Sequence, residues 1–551
     1  MKKKKIALII AGAVSLGSYE AGVLTELLYA LETLNRNANE DGHPLYELDV
    51  MTGGSAGGIS SVIMARIMMY DLQGRRQHLH SVWVNDVDIR GFMKDIPANA
   101  LFSKDLIDQL AQKYVVSGSG HPPSNVASFA PDELRLSLSL SNMNGVDYEV
   151  PYITSKEGGF DSTFYSEEAS FSIKKGALPN EEAWKTMADT AIACGNFPIA
   201  FQPQLLFRKA EDYPGSIQAL KDEYFPTEMA FVDGGMFDNE PLREAIHLAA
   251  EADGGVIDPD RLFIVIDPNI NRSGHQPEIE ADIFLPNYVG RLITMIKSES
   301  MANDWMRANR RNVELEWRDA FVNDLIEIVR CIPDEQLATL RAQIKSTANE
   351  IVEKKREMLG SDRYPEGYLK DALALVQERQ IDHVKTLDLE EKREIFTTLV
   401  FLVNNVAGLQ HKSPLNLALI GSDPDKTAGD KLFAFGGFFD EMWREHDYRL
   451  GRIEANKNLP SLLGADYPKE MDQQGLPVRD YIIPLEWEGF AGVGIGDIDP
   501  ELRQQLRDIV VKKVTDTLEF LKANWFYTWI AKIIVKRLLN KQLLLKQGIF
   551  K

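Results

Sequence analysis

The chain has 551 residues, of which 44% are hydrophobic and 26% charged, so we expect a globular protein with more than one hydrophobic core. Its formal net charge of −21 excludes nucleic acid as the main partner, because an acidic surface repels a phosphate backbone. Its two cysteines, Cys194 and Cys331, cannot build a disulfide framework or a CxxC metal site, and no apolar run is long enough to predict a transmembrane helix, so we expect a cytoplasmic location.

The N-terminus begins with four lysines that are followed by an apolar stretch. A secretory signal peptide has such a charged and then apolar start. The alternative is a buried strand from Lys5 to Ala11 that runs into a glycine-containing turn, Gly12 to Gly17. We favour the strand, because the residues that follow, Ala21 to Asn35, have the apolar spacing of a helix and lack a processing site.

Strands and helices alternate through about residue 270. The further predicted strands are Leu48–Thr52, Leu134–Ser141, Met229–Val232 and Leu262–Ile266, and the further predicted helices are Ala56–Tyr70 and Pro241–Ala252. The strict alternation of leucine with polar residues in Leu134–Ser141 predicts one solvent-exposed face. The alternation of elements predicts an α/β domain with a largely parallel central sheet.

The composition changes near residue 280, beyond which the chain is rich in Glu, Lys and Arg. The predicted helices there are 283–330, 334–359, 368–380 and 389–407. We therefore predict two domains, 1–280 and a mainly helical C-terminal region, 281–551.

The last 31 residues, 521–551, carry seven basic residues and no acidic one, and their apolar side chains include Trp525 and Trp529. A basic, tryptophan-containing amphipathic helix suits an anionic membrane surface, which would place the protein at the inner membrane as a peripheral protein. Docking onto the acidic surface of the same chain is the alternative interpretation.

The segment Gly53-Gly54-Ser55-Ala56-Gly57 is a G-x-S-x-G motif between a predicted strand and a predicted helix. This context is typical of a nucleophile elbow, in which small neighbours allow a sharp turn and the helix start stabilises negative charge beside the serine. A glycine-rich turn with an idle serine is the structural alternative. In an α/β-hydrolase several strands precede the strand of the elbow, whereas here only the strand from Lys5 to Ala11 precedes it.

Asp233 offers a base for Ser55. It follows an apolar strand and precedes Gly234 and Gly235, which permit close backbone approach. At the carboxyl ends of parallel strands, the turns at Ser55 and Asp233 would meet at one edge of the sheet. A carboxylate in contact with the hydroxyl could take its proton directly, without a histidine. Asp-Gly-Gly is also a common structural turn.

In this order, the motifs resemble those of the patatin-like phospholipase family. That family has a glycine-rich oxyanion turn, a helix that begins near Gly-Val-Leu, G-x-S-x-G and D-G-G. The matching segments here are 12–17, 22–24, 53–57 and 233–235, with further similarity at 191–203 and at Asn239 and Pro241.

The resemblance implies a three-layer α/β domain that hydrolyses acyl esters of lipids through an acyl-enzyme. It implies a catalytic dyad of Ser55 and Asp233 and no metal or cofactor. It assigns the oxyanion hole to backbone amides of Gly12, Ala13 and Val14. The supporting glycines of these motifs are Gly17, Gly53, Gly57, Gly234 and Gly235.

The oxyanion turn departs from the family pattern G-G-G-x-[RK]-G, because Ala13, Val14 and Leu16 replace two glycines and the basic residue. A β-branched valine disfavours a left-handed backbone. A G-x-V-S-L turn resembles that of a patatin-related bacterial subfamily, whose C-terminal segment is also similar to residues 435–452. We interpret 435–452 as a packed helix and loop or, alternatively, as part of a lipid site, with His446 as the one histidine to consider there.

Three functions follow as hypotheses. The first is a serine lipid acyl hydrolase, a phospholipase or esterase. The second is an acyltransferase that uses the same dyad and passes the acyl group to an alcohol. The third is a catalytically weak protein that binds a lipid or a partner, which the altered oxyanion turn would suit.

Overall fold

The computed structural model describes residues 3–41, 44–118, 123, 125–151, 159–177, 180–213, 225, 227–268, 285–359, 364–410, 412–423, 426–430, 434–464 and 498–520. The tail at 521–551, for which a membrane-surface helix is predicted, lies outside these residues.

The described strands form one mixed sheet of eight strands. They are β1 (Lys3–Ile10), β2 (Leu45–Gly53), β3 (Glu133–Pro151), β4 (Gly159–Lys174), β5 (Gln204–Arg208), β6 (Thr227–Asp233), β7 (Leu262–Asp267) and β8 (Asn416–Gly421). Their order is β5-β6-β3-β2-β1-β7-β8, and β4 pairs with β3 outside this path. The five strands β3, β2, β1, β7 and β8 are mutually parallel.

Strand β1 lies at the centre of the parallel part, so the strand interpretation of the N-terminus is confirmed. Its residues Ile6 to Ile10 are completely buried. Ile10 is in register with Gly53 of β2 and with Ile266 of β7. The turns that follow these three strands therefore meet at one edge of the sheet, the edge at which sites form in parallel sheets.

The prediction of a solvent-exposed face on β3 is wrong. Ser137, Ser139 and Ser141 are only 1%, 2% and 2% exposed. Helices contact this strand, and small hydroxyl side chains fit beneath them when they find partners. Ser141 Oγ, for example, donates to the carbonyl oxygen of Asp233 at 2.8 Å.

Strand β6 is antiparallel to its neighbours, although the sequence analysis placed Asp233 at the end of a parallel strand. Strand β3 continues past the end of β2, where Gly53 pairs with Leu138. The protruding part of β3 pairs with β6, so that Leu140 faces Asp233. Asp233 thus reaches the carboxyl edge of the parallel strands at the end of an antiparallel strand of the same sheet.

The described α-helices are numbered in chain order. They are α1 (Gly17–Asp41), α2 (Ser55–Tyr70), α3 (Leu72–Arg75), α4 (His78–His80), α5 (Ile89–Phe92), α6 (Asp105–Ala111), α7 (Glu181–Cys194), α8 (Leu242–Ala252), α9 (Leu285–Arg330), α10 (Asp334–Leu359), α11 (Tyr368–Arg379), α12 (Ile381–Lys385), α13 (Glu390–Val406), α14 (Glu441–Leu463) and α15 (Pro500–Phe520).

The chain divides into two compact units that are not contiguous in sequence. The first contains the described residues of Met1–Ala252, Asp260–Asp304 and Asn416–Lys551, and the second those of Asp253–Pro259 and Trp305–Leu415. The predicted boundary near residue 280 followed a change of composition. Composition did not reveal β8, which pairs with β7 and so belongs to the first unit.

The second unit is helical and has its own core. Aliphatic side chains of α9, α10 and α13 pack there around Phe396 and Phe401, which are 0% and 2% exposed. The first unit holds the sheet and the larger core. The predicted fold class, an α/β architecture with a largely parallel sheet and a mainly helical C-terminal region, is confirmed.

Candidate active site

Ser55 stands at a sharp turn between β2 and α2. It is the first residue of α2 and has a φ of +49°, a conformation that costs a non-glycine residue about 1–3 kcal/mol. Its neighbours allow the turn because they lack side chains. A Cβ on Gly57 would lie 2.3 Å from the carbonyl oxygen of Ile10, and one on Gly54 would lie 2.7 Å from that of Asn239.

Asp233 is fixed on three sides. Its Oδ1 accepts a hydrogen bond from the amide of Gly235 at 2.7 Å. Its own amide donates to the carbonyl of Asn196 at 3.0 Å, and its carbonyl accepts from Ser141. Gly234 is required here, because an added Cβ would lie 2.0 Å from the carbonyl oxygen of Ser139. The carboxylate therefore has one oxygen, Oδ2, directed away from its own loop.

The two predicted residues meet. Ser55 Oγ donates to Asp233 Oδ2 at 2.7 Å, across 178 positions of sequence. Both side chains are almost fully buried, at 3% and 1% exposure. A charge-assisted hydrogen bond in a buried setting is stronger than one in water. The arrangement can transfer a proton from the hydroxyl to the carboxylate without a third residue.

The turn Gly12-Ala13-Val14 lies beside this pair, but its three amides differ. The Gly12 amide donates to the carbonyl of Asn239 at 2.8 Å and is therefore engaged. A Cβ on Gly12 would lie 2.7 Å from the Ser55 Cβ, so only glycine lets the turn lie this close to Ser55. Among the described residues, the amides of Ala13 and Val14 have no acceptor.

An apolar pocket of about 840 Å³, including its open mouth, begins at Ser55 and Asp233. All other lining residues within the described ranges are apolar. They are Val14, Ala56, Ile59, Ile63, Val82, Trp83, Val87, Phe92, Ile107, Leu110, Ala111, Val115, Ala188, Ala191, Ile192, Gly195, Phe197, Phe201, Phe435 and Phe438.

The pocket follows two helices away from the serine. Ser55, Ile59 and Ile63 lie on one face of α2, and Ala188, Ala191 and Ile192 line it from α7. Eight residues of helix separate Ser55 from Ile63, which corresponds to a depth of roughly 12 Å.

Residues 8–246, from β1 into α8, match the profile of the patatin-like phospholipase family. The chain carries a patatin-like phospholipase domain. Residues 369–474 match a second family, described as a protein of unknown function (DUF3376). An uncharacterized protein of Sinorhizobium fredii (strain NBRC 101917 / NGR234), y4iI, is 22% identical to this chain. The similarity covers 43% of this chain and 44% of the relative, so the chain spans less than half of that protein.

The patatin-like domain accommodates the unusual Val14 in a strained conformation. Val14 has a φ of +54° and begins a short 3-10 turn, Val14–Leu16. A positive φ is a genuine outlier for a β-branched residue, which explains why the usual family turn has glycine here. The strain has to be offset by contacts that hold the turn.

Two buried ionisable groups, Asp238 and Cys194, lie near the pair of Ser55 and Asp233. Burial, together with the charge of Asp304, raises the pKa of the Asp238 carboxyl to about 7. Burial also raises the pKa of the Cys194 thiol, which lies under the Ser55 backbone. Cys194 and Cys331 are both free thiols. Because its pKa is raised, Cys194 is neutral and adds no negative charge near Asp233.

His446, the one histidine singled out from the sequence, is not among the residues that line the pocket. It lies on α14, where its Nε2 is 2.8 Å from the carbonyl oxygen of Lys426, and burial lowers its pKa. Over the described residues, His, Cys, Asp and Glu side chains form no group of three that could hold a metal ion. No helix there has the length and apolar character needed to cross a membrane.

Sequence reasoning missed most of the pocket wall of the patatin-like domain. Trp83, Phe92 and Phe201 come from irregular segments and short helices with no motif, so no local signal marks them. Phe435 and Phe438 belong to the aromatic segment for which a lipid role was one of two interpretations. Both rings line the pocket. The other interpretation, a packed helix and loop, describes the remainder of that segment, which forms α14.

Proposed function

We propose that this protein is a serine lipid acyl hydrolase in which Ser55 is the nucleophile and Asp233 the general base. The observation that carries the proposal is the 2.7 Å hydrogen bond between Ser55 Oγ and Asp233 Oδ2 at the mouth of the apolar pocket. A hydroxyl needs an adjacent base to become a nucleophile, and a carboxylate in contact can serve.

The reaction proceeds in two halves. Ser55 Oγ attacks the ester carbonyl carbon while its proton moves to Asp233 Oδ2. The bond between the carbonyl carbon and the alcohol oxygen then breaks, and the leaving alcohol takes the proton from Asp233. Water attacks the resulting acyl-enzyme, gives a proton to Asp233, and releases the free acid as the proton returns to Ser55.

The oxyanion that forms in each half is stabilised by backbone groups. The free amides of Ala13 and Val14 are the donors that the turn offers, whereas the Gly12 amide is engaged with Asn239. Ser55 is the first residue of α2, so the partial positive charge of the helix start adds to this stabilisation. Donors that are held in place before the reaction need no rearrangement during it.

The substrate class follows from the pocket. Apart from the dyad, its described lining offers only apolar side chains, which suits the hydrocarbon chain of a fatty acyl group. We therefore expect esters of long acyl chains to be better substrates than acetate esters, through a lower KM. The headgroup lies outside the pocket and is not selected by it.

The test compares wild type with Ser55→Ala and Asp233→Asn on p-nitrophenyl esters from acetate to palmitate and on phosphatidylglycerol vesicles. Ser61→Ala is the matched control, because Ser61 is a buried serine of the same helix whose hydroxyl donates only to Gly57. Both dyad variants should lose at least about a thousandfold in kcat, whereas the control should retain activity. Hydrolysis that survives Ser55→Ala would refute the assignment.

A fluorophosphonate probe separates an activated serine from a silent binding protein. Wild type should be labelled at Ser55, and Asp233→Asn should be labelled far more slowly. Absence of both labelling and turnover in the folded wild type would instead support a binding protein. Ester formation with an added alcohol, in place of free acid, would indicate acyl transfer.

A further inference from the structure

The oxyanion turn is bound to the C-terminal half of the chain through one side chain. Ser15, the residue after the strained Val14, is completely buried. Its Oγ accepts a hydrogen bond from the amide of Gly437 at 3.0 Å. The hydroxyl proton faces two carbonyl oxygens, those of Ala434 and Gly429, the latter at 3.2 Å. Three backbone groups, 414 to 422 positions away, thus surround one hydroxyl.

The packing leaves no room for another arrangement around this hydroxyl. A Cβ on Gly437 would lie 2.7 Å from Ser15 Oγ, and a Cβ on Gly429 would lie 3.1 Å from it. Removing the hydroxyl therefore leaves buried backbone groups without partners in a space that water cannot easily fill.

Two buried side chains of α14 hold the partner segment in turn. Asp447, completely buried, accepts hydrogen bonds from the amides of Ala428 and Gly429, both at 2.7 Å. Arg444 donates to the carbonyl of Gly437 at 2.9 Å and to that of Val84 at 2.8 Å. Gly429 and Gly437, which bind Ser15, are therefore themselves held by hydrogen bonds to α14.

Helix α14 is fixed directly to α1, the helix that follows the oxyanion turn. The two backbones touch at a pair of glycines. A Cβ on Gly22 would lie 1.9 Å from the carbonyl oxygen of Tyr448, and one on Gly451 would lie 2.0 Å from that of Tyr19. Helix α14 therefore fixes the position of α1, which follows Ser15. It also fixes Gly429 and Gly437, which bind Ser15.

We propose that Ser15 is a positioning residue that, through its hydrogen bonds to Gly429, Ala434 and Gly437, holds the Val14 amide in the oxyanion hole, so that the C-terminal residues 428–430 and 434–447 form part of the active site. The proposal rests on the proposed function. It gives a role to part of the region that matches the family of unknown function, since these C-terminal residues lie within 369–474.

The physical argument is one of stored strain. A valine at φ +54° relaxes toward ordinary backbone unless other contacts prevent it. Relaxation would change the orientation of the Val14 amide. A misplacement of about 1 Å in a catalytic group costs up to about 100-fold in rate. In this turn, Ser15 supplies a restraint that a glycine at position 14 would not need.

The experiment measures kcat and KM of full-length Ser15→Ala with a p-nitrophenyl ester, after wild type has been shown to be active and Ser55→Ala inactive. We expect kcat to fall about 10- to 100-fold with KM nearly unchanged. Binding of a fluorescent fatty acid in the pocket should weaken much less than kcat falls, because Ser15 itself does not line the pocket, although its neighbour Val14 does. A merely structural role would instead weaken binding and turnover together.

Ser18→Ala is the matched control. Ser18 is also completely buried, but its hydroxyl donates to the Ser15 carbonyl within the same turn and does not reach the C-terminal residues that bind Ser15. It should keep wild-type kcat. If Ser15→Ala does not fold, Ser15→Cys takes its place, since a thiol keeps a weak donor and acceptor, and kcat should fall by less.

The proposal is overturned if Ser15→Ala keeps kcat within about twofold of wild type, or if the Ser18 control loses as much. In either case the proposed function stands, because wild type still hydrolyses the ester through Ser55. A folded wild type without turnover or labelling at Ser55 would remove the proposed function and this proposal with it.

Discussion

Asn239 and Gly12 bind each other twice. The amide of Gly12 donates to the backbone carbonyl of Asn239 at 2.8 Å, and Nδ2 of Asn239 donates to the carbonyl of Gly12 at 3.1 Å. Asn239 follows Asp233 closely in sequence, whereas Gly12 follows the first strand. The two hydrogen bonds therefore join the loop after the proposed base to the oxyanion turn. They hold both loops next to Ser55.

Gly12→Ala should abolish ester hydrolysis. The new Cβ would lie 2.4 Å from Asn239 Oδ1 and 2.7 Å from the Ser55 Cβ, so the asparagine and the serine must both move. We expect kcat to fall at least about 100-fold. The control is Gly176→Ala, at φ +75° with no neighbour within 4 Å, which costs backbone strain but does not touch the site. Equal activity of the two variants would contradict the expectation.

Ala188→Phe should shorten the preferred acyl chain. Ala188 is 2% exposed and lines the pocket on α7, away from the dyad. A phenyl ring there would fill its far part and leave the mouth open. Palmitate esters should lose kcat/KM by about tenfold or more while acetate and butyrate esters are unaffected. A uniform loss over all chain lengths would mean that acyl chains do not occupy this part of the pocket.

Asp238→Asn should change the pH dependence of stability. Burial raises the pKa of Asp238 to about 7, above its unfolded value near 4, so folding favours the protonated form. The free energy of unfolding of wild type therefore falls as the pH rises from about 4 to 7, because the unfolded state ionises Asp238 more easily than the folded state. Above pH 7 this destabilisation remains constant. Asparagine does not ionise, so the variant lacks this destabilisation.

The free energy of unfolding of Asp238→Asn, relative to wild type, should therefore rise by about 3 kcal/mol between pH 5 and pH 8. Urea titrations of both proteins at the two pH values measure this difference. An identical difference at both pH values would show that Asp238 is ionised in the folded protein throughout this range.

Arg261→Met should destabilise the protein without affecting the chemistry. Arg261 and Asp49 form a buried, bidentate ion pair, in which Nη2 and Oδ2 are 2.9 Å apart. The pair lies at the end of the sheet opposite the site. Removal of the cation leaves Asp49 buried, with Lys5 Nζ at 3.6 Å. We expect the free energy of unfolding to fall by about 3 kcal/mol.

Arg243→Met is the control for this variant, because its ion pair with Glu168 is largely exposed on the arginine side. It should cost at most about 1 kcal/mol. Thermal unfolding compares the two variants, and the folded fraction of each should retain wild-type kcat. A loss of kcat in folded Arg261→Met would show that the ion pair influences the site.

The sequence predicted the elements and the two principal site residues because their signals are local. A strand, a glycine turn and a helix identify Ser55 within a few residues, and an apolar strand before Asp-Gly-Gly identifies Asp233. The four long helices beyond residue 280 end within two residues of their predicted limits. Hydrophobic periodicity depends only on residues that are close in sequence, so it predicts a helix without knowledge of the fold.

What the sequence could not predict depends on long-range pairing. The serines of β3 look solvent-exposed until helices are known to cover them. The direction of β6 follows from the overhang of β3, which no local pattern reveals. The engagement of the Gly12 amide and the bonds of Ser15 join residues more than 200 and 400 positions apart, respectively. Such contacts follow from tertiary packing and leave no trace in spacing.

The entry of β8 into the sheet has a practical consequence for shortened versions of the protein. All six residues of β7, Leu262–Asp267, are buried, and β8 pairs with the strand along its outer side. A polypeptide that stops before residue 416 would leave the outer edge of β7 unpaired, and the free backbone N–H and C=O groups of such an edge recruit other chains and lead to aggregation. Production of the first compact unit alone should therefore retain residues 416–464 and remove, if anything, the helical segment in the middle of the chain.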